Sequence, residues 1–170
     1  MQKYRFYTLD NSSKTNYNLH IEKKEKTPMV DILEYFLTAE EVYDDYRKQV
    51  EQKFGLTAKE TDVLIFLANN PEFDRAADVS RVRKITKSHV SLAVHSLCEK
   101  GLLTRKFFSG DKKNAHLSPT EKALPVIEFG RQKQREFSQT LFEGFSDEEK
   151  KKFFALHDKI AENLRSAIKK

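Results

Sequence analysis

The sequence predicts a mainly α-helical fold with one small β-hairpin, and three observations lead to this prediction. Apolar residues recur every three to four positions along most of the chain, which is the spacing of amphipathic helices. The 170 residues include 5 Gly and 4 Pro, too few for a loop-rich fold. One stretch, residues 102–107, instead has the composition of a strand and is followed by turn-forming residues. At 38% hydrophobic, the chain can bury one core.

A polar tail and one long helix are predicted at the N-terminus. Residues 1–26 are polar and mixed in charge, and we assign them to a tail. Thr27-Pro28 is typical of a helix start, because proline at the first helical position lacks only an N–H that would have no helical partner. Apolar residues then keep helical spacing up to Phe54, and Gly55 is a stop signal. The long helix is therefore predicted over 27–55.

Three helices follow, and each is preceded by a residue suited to capping it. These capping residues are Thr57, Asp74 and Thr86. The first of these helices is predicted to include Ala68 and to be ended by Asn69-Asn70-Pro71. The second is predicted to run to about Arg83 and the third to about Lys100, where Gly101 stops it. The first also has the spacing of a capping box, with Glu60 three residues after the cap. The inner face of the third helix is predicted to contain Val90, Val94 and Leu97.

The hairpin and two further helices complete the chain. Residues 102–107 predict a strand, 109–114 a turn and 115–117 the returning strand. Beyond Thr120 the helical spacing returns, and Gly144 interrupts it. Ser146 with Glu149 then forms a second capping box, which opens the last helix.

The long outer helices carry more apolar surface than a small central module can cover. Helices with exposed apolar stripes need a partner, and a second copy of the chain is the simplest one. The alternative is that these helices pack only on each other within one chain. We expect a homodimer, with dimerisation helices over 27–55 and 119–170 around a central module over 56–118.

Positive charge is concentrated in one segment. The chain has 31 basic and 26 acidic residues, a net charge of +5, yet the stretch 81–114 holds nine basic and two acidic residues. A run of charge is often only a solvated face, but here the acidic partners are missing from the run, which favours a polyanion as partner. Two interpretations are equally supported for Arg81, Arg83 and Lys84: they bind DNA phosphates, or they are solvated surface charges.

The order of helix, short helix, turn, helix and hairpin is that of a winged helix-turn-helix. The second helix of the pair fits the major groove of duplex DNA, where its N-terminal residues face the base edges. The residues expected there are Lys87, Ser88, His89 and Ser91, with His95 further along reaching a base or only a phosphate. The hairpin tip Asp111-Lys112-Lys113 is expected at an adjacent minor groove or its phosphates.

At these residues the chain resembles the MarR family of bacterial transcriptional regulators. The resemblance covers 56–123 and is carried by ITKSHVSLAVHSLCEKGLLTR, GDKKNAHL and LSPTEKA. It implies a homodimer that binds a pseudo-palindromic operator, acts as a repressor and is released by a small-molecule effector. It also implies that Arg105 pairs with Asp111 to fix the wing. Lys113 stands where the family wing has arginine, and Leu92 where many relatives have a polar or basic residue.

The resemblance further places effector sites between the long helix and the winged module. Four aromatic residues of the long helix are candidates for lining such a pocket, although core packing is the alternative for each. They are Tyr35, Phe36, Tyr43 and Tyr46.

Other functions are not predicted. The sequence contains no glycine-rich phosphate loop, no HExxH motif and no nucleophile elbow, so no catalytic residues are assigned. Cys98 is interpreted as a structural thiol, and the scattered histidines favour neither a metal site nor a cofactor. No apolar run is long enough for a membrane span, and the start lacks a secretory signal, which predicts a cytoplasmic protein. The alternative function is a winged-helix protein–protein interaction module that does not bind specific DNA.

Overall fold

A computed structural model describes residues 28–108 and 111–168, with side chains described at all of these except 28–30, 108 and 111–114. The mainly α-helical fold with one hairpin is confirmed. The elements in chain order are α1 (Pro28–Phe54), α2 (Ala58–Asn69), α3 (Ala76–Arg83), α4 (Lys87–Glu99), β1 (Leu103–Phe108), β2 (Asp111–Pro119), a short 3-10 helix (Glu121–Ala123), α5 (Leu124–Leu141) and α6 (Asp147–Ile168).

The predicted helix caps of α2 and α6 are present. The Thr57 side chain accepts a hydrogen bond from the Glu60 N–H, and the Glu60 carboxylate accepts one from the Thr57 N–H at 2.7 Å. Ser146 and Glu149 make the same reciprocal pair before α6. Each box satisfies backbone donors that the first turn of a helix leaves unpaired. The sequence therefore located both helix starts from local chemistry alone.

The predicted cap of α3 is wrong. Arg75, not Asp74, occupies the N-cap position, and its side chain makes no capping hydrogen bond. The Asp74 carboxylate instead lies 2.7 Å from Nδ1 of His116 on β2. The Asp74 carbonyl also accepts a hydrogen bond from the Leu117 N–H at 2.7 Å. A partner 42 residues away in the chain has therefore replaced the local capping interaction.

The predicted boundaries of the hairpin also need correction. The first strand begins at Leu103, because the Leu102 N–H donates to the Leu97 carbonyl and so belongs to the end of α4. The second strand begins at Asp111, four residues earlier than expected, with Phe108 paired to Asp111. The polar residues at the start of β2 have the composition of a turn, and the register is irregular beside them, because it passes from Lys106 paired with His116 directly to Phe108 paired with Asp111.

The core lies where α2 and α4 cross, closed on one side by the hairpin and on the other by α1 and α5. The predicted inner face of α4 is confirmed, since Val90, Val94 and Leu97 are all buried. Burial of one such side chain contributes about 1.5–3 kcal/mol. Cys98 is half-buried and packs against this core, as expected of a structural thiol. Gly130 of α5 lies against α2, and a Cβ there would require the end of the Ile65 side chain to move.

The outer helices leave apolar side chains uncovered. Within the described part of the chain, α6 contains no buried residue, although Leu156, Ile160, Leu164 and Ile168 recur at every fourth position along it. The first turns of α1 likewise expose Leu33, among other apolar residues. Over residues 28–108 and 111–168, no helix combines the length and the apolar character that a membrane crossing needs.

Candidate nucleic-acid interface

The helix α4 presents one buried and one exposed face. Thr86 caps it by accepting a hydrogen bond from the His89 N–H, so the helix begins where the sequence predicted. The five residues predicted to contact DNA from this helix are all exposed; they are Lys87, Ser88, His89, Ser91 and His95. His95 lies 3.3 Å from Glu99, one turn on, which gives it an acidic neighbour. The geometry therefore brings together a first helical turn of small polar and cationic side chains at the protein surface.

The hairpin extends the exposed surface beside α4. Thr104, Arg105, Lys106 and Phe107 are exposed on β1, and Arg105 lies opposite Leu117 in the register. The side chains of Asp111, Lys112 and Lys113 lie outside the described residues. The predicted Arg105–Asp111 pair and the predicted minor-groove contacts of the wing tip therefore stay predictions.

Folding brings acidic side chains from other segments close to the positive segment 81–114. Three of its cations pair with carboxylates from outside 81–114, namely Arg81 with Asp78 at 2.8 Å, Arg83 with Asp62 at 3.5 Å and Lys100 with Glu60 at 2.8 Å. These pairs lower the effective charge of the segment. Lys87, by contrast, forms no ion pair with any described residue, so the start of α4 keeps its full charge.

A buried carboxylate fixes the far end of α4. Glu60 of α2 is 3% exposed and receives hydrogen bonds from Lys100 Nζ, at 2.8 and 2.9 Å, and from the Ser96 hydroxyl. Burial raises its pKa, but the hydrogen bonds from Lys100, Ser96 and the Thr57 N–H outweigh burial and lower the pKa of Glu60 to about 2. Lys100 also donates to the Gly55 carbonyl at 3.1 Å. The ionised Glu60 thus links α4 to α2.

A second carboxylate, Asp62 of α2, lies at the centre of a charge cluster. It is buried, and Arg47 of α1 donates to both of its oxygens at 3.3 and 3.4 Å. Lys59 and Arg83 approach it at 3.8 and 3.5 Å. Burial lowers the pKa of Arg47, and the facing carboxylates, Asp62 foremost, more than reverse this and raise it. The cluster joins α1 to the end of α3, just before the exposed turn of α4.

The sequence prediction missed the contact that holds the hairpin against α3. His116 has no partner that the sequence predicts, yet its side chain lies against Asp74 and its backbone forms an isolated β-bridge with Arg75. No local pattern predicts this, because 42 residues separate the two side chains. The sequence does indicate that Asp74 has a specific hydrogen-bonding partner, but it predicts the first turn of α3 as that partner and not His116.

The aromatic residues considered for an effector pocket are divided among several cavities, and Tyr43 and Tyr46 share one small cavity of about 20 Å³. Tyr43 lines a polar groove of about 540 Å³ between α1 and the start of α4, which His89 also lines. Tyr35 lines a separate groove of about 420 Å³ between α1 and α5. Tyr46 packs on Phe137 of α5, while Phe36 contacts Tyr35 and is exposed.

Comparisons with known proteins agree with this architecture. The family model described as MarR family matches residues 54–113, which confirms the resemblance over that segment. Similar solved structures include a MarR protein from Peptoclostridium difficile, at 21% identity and TM-score 0.68, covering 90% of this chain and 97% of that chain. A MarR family transcriptional regulator from Listeria monocytogenes, complexed with 26-mer DNA, has 20% identity and TM-score 0.70, covering 84% and 91%.

A third similar structure concerns regulation of DNA binding of Bordetella bronchiseptica BpsR by 6-hydroxynicotinic acid. It has 18% identity and TM-score 0.61, covering 77% of this chain and 98% of that chain. At these identities the three structures establish the fold, a winged helix flanked by long helices. No curated protein matches the chain in sequence.

Proposed function

Because residues 54–113 match the MarR family model and the fold is that of MarR family regulators, we propose that this chain is a sequence-specific DNA-binding transcriptional regulator. The observation that carries the proposal is the exposed first turn of α4, with Lys87, Ser88 and His89 capped by Thr86. Positive charge at this position attracts phosphates, and the hydroxyl and imidazole groups are able to hydrogen-bond base edges. The Listeria monocytogenes regulator, whose fold is similar, is complexed with DNA.

The operator is a pseudo-palindrome bound by a homodimer. The exposed apolar positions on α6 and on the first turns of α1 support a second copy of the chain as the partner. In such a dimer, two α4 helices enter successive major grooves about 34 Å apart. Residues 27–55 and 119–170 then serve dimerisation, and 56–118 serve DNA binding.

The regulator acts as a repressor that a small molecule releases. The groove between α1 and the start of α4 supports this, because Tyr43 and His89 share it. A molecule bound there contacts both a dimerisation helix and the DNA-binding turn. The regulation of BpsR by 6-hydroxynicotinic acid is a property of that protein, and it offers a precedent within the fold.

The proposal is tested by measuring binding to duplexes that the full-length protein selects from a random-sequence library, at several salt concentrations. Affinity is expected to fall steeply with salt, since bound cations are released from the phosphates. Lys87→Ala is expected to reduce the slope of log affinity against log salt by about one for each phosphate that the lysine side chain neutralises.

The matched control is Lys151→Ala, which removes the same charge from an exposed position on α6 and leaves the slope unchanged. Failure to enrich any sequence, or weak binding that does not depend on salt, contradicts the proposal. Either result favours the protein–protein interaction module instead.

A further inference from the structure

A leucine lies on the exposed outer face of α4. Each residue of an α-helix advances the side-chain direction by about 100°, so Leu92 points about 200° away from the buried Val90. Its side chain is 67% exposed, against 1% for Val90. Leu92 therefore lies at the centre of the face that enters the major groove in the proposed complex.

The neighbours of Leu92 on this face are polar. Ser88 precedes it by four residues and His95 follows it by three, so both lie beside it on the helix surface. Lys87 lies five residues before Leu92, in the first turn of α4, and supplies a positive charge toward the edge of this face. Leu92 is thus an exposed apolar side chain on a polar face, within a segment that is positive overall. This face is complementary to a DNA duplex whose phosphates lie on either side of the major groove and whose bases present an apolar group within it.

The chemistry of the major groove restricts what a leucine can recognise there. It cannot hydrogen-bond to a base edge or bind a phosphate, whereas the 5-methyl group of thymine is the apolar feature that a base pair of unmodified DNA presents in this groove. We propose that Leu92 is a specificity-determining residue that contacts a thymine methyl group in each operator half-site. Leu92 then replaces the hydrogen bonding of a polar residue with an apolar contact. This inference rests on the proposed function.

The test uses duplexes that differ by one methyl group. The consensus is first selected from a random-sequence library by the full-length protein, and each thymine of the half-site is then replaced by deoxyuridine. At one position, loss of the methyl is expected to weaken binding about fourfold per half-site, the effect of one buried methyl-sized group. Replacement in both half-sites gives roughly fifteenfold.

Two variants complete the design. Leu92→Ala should bind the thymine and deoxyuridine duplexes equally, and it should fold normally because the position is exposed and alanine favours helices. Leu92→Met keeps an apolar side chain and should retain the preference for thymine. A Leu92→Ala protein that still discriminates, or a wild-type protein that ignores every methyl, overturns the assignment. In both cases sequence-selective binding remains, whereas failure to enrich any consensus contradicts the proposed function itself.

Discussion

Individual carboxylates of α2 determine how α4 is held. Glu60 and Asp62 are both buried, and each is compensated by cations from other elements, Lys100 from the end of α4 and Arg47 from α1. A buried charge that loses its partner is costly, because burial without a hydrogen-bonding partner forfeits hydration. These ion pairs therefore fix the orientation of the helices, and pH should act on the fold through Glu60.

Acid is expected to weaken the fold through Glu60. Its pKa is about 2 in the folded protein against an ordinary value of 4.5. A lowered folded pKa gives stability that is complete above the ordinary pKa and is lost as pH falls toward the folded one. The contribution corresponds to about 3 kcal/mol in the free energy of unfolding.

This is checked by urea unfolding of wild type and Glu60→Gln between about pH 6 and about pH 3. The difference in stability between them should be largest at the upper pH and shrink toward the lower. Glu128→Gln, which alters an exposed carboxylate of α5, should follow the wild type throughout. A Glu60→Gln deficit that stays constant with pH would contradict the expected effect.

Helix α4 is secured at both ends by different means. Its start depends on the Thr86 cap, and its end depends on Glu60 and on the Leu102 N–H bonded to the Leu97 carbonyl. The cap is a local device, whereas the Glu60 contact spans 40 residues. Since Lys87, Ser88 and His89 occupy the first turn, loss of the cap affects those residues first.

Thr86→Ala is therefore expected to lower stability by about 1 kcal/mol and to weaken operator binding, because the uncapped first turn frays. Thr86→Ser keeps the hydroxyl oxygen and should match the wild type in both respects. Urea unfolding and duplex titration measure the two effects. If the alanine and serine variants lose stability and affinity to the same extent, the Thr86 hydroxyl is not responsible for either.

For the molecule as a whole, we expect the apolar surface of the outer helices to decide the oligomeric state. Leu164 on α6 is 59% exposed, and Leu156, Ile160 and Ile168 lie on the same side of the helix. A stripe of this kind is stable in water when a second surface covers it. The proposed homodimer supplies that surface and sets the distance between the two α4 helices.

Leu164→Asp is expected to raise the dimer dissociation constant about thirtyfold or more, since burial of one leucine contributes about 2 kcal/mol. Analytical ultracentrifugation over a range of protein concentrations measures this. Ser166→Asp places the same charge on the opposite side of α6 and should leave association intact. If both variants associate like the wild type, α6 is not part of the interface.

The local signals in the sequence were sufficient for the element order, the α2, α4 and α6 caps, and the buried face of α4. These features depend on residues within a few positions of each other, such as Thr57 with Glu60 or Val90 with Val94. The exposure of Lys87, Ser88 and His89 follows from the same periodicity. Helical spacing and helix capping depend on residues within about one turn of each other, so they can be predicted from the sequence.

The packing of distant segments settled the rest. Because of this packing, Asp74 contacts His116 instead of capping α3, and β2 is longer than predicted. Cations for which the sequence predicts no partner also acquire one, as Arg83 does with Asp62. Side chains far apart in the chain meet because the core brings their elements together, and no local pattern encodes such meetings. Residue types and periodicity thus specified which face of α4 is exposed, while the packing of distant segments specified which of the nearby charges are paired and how the helix is held.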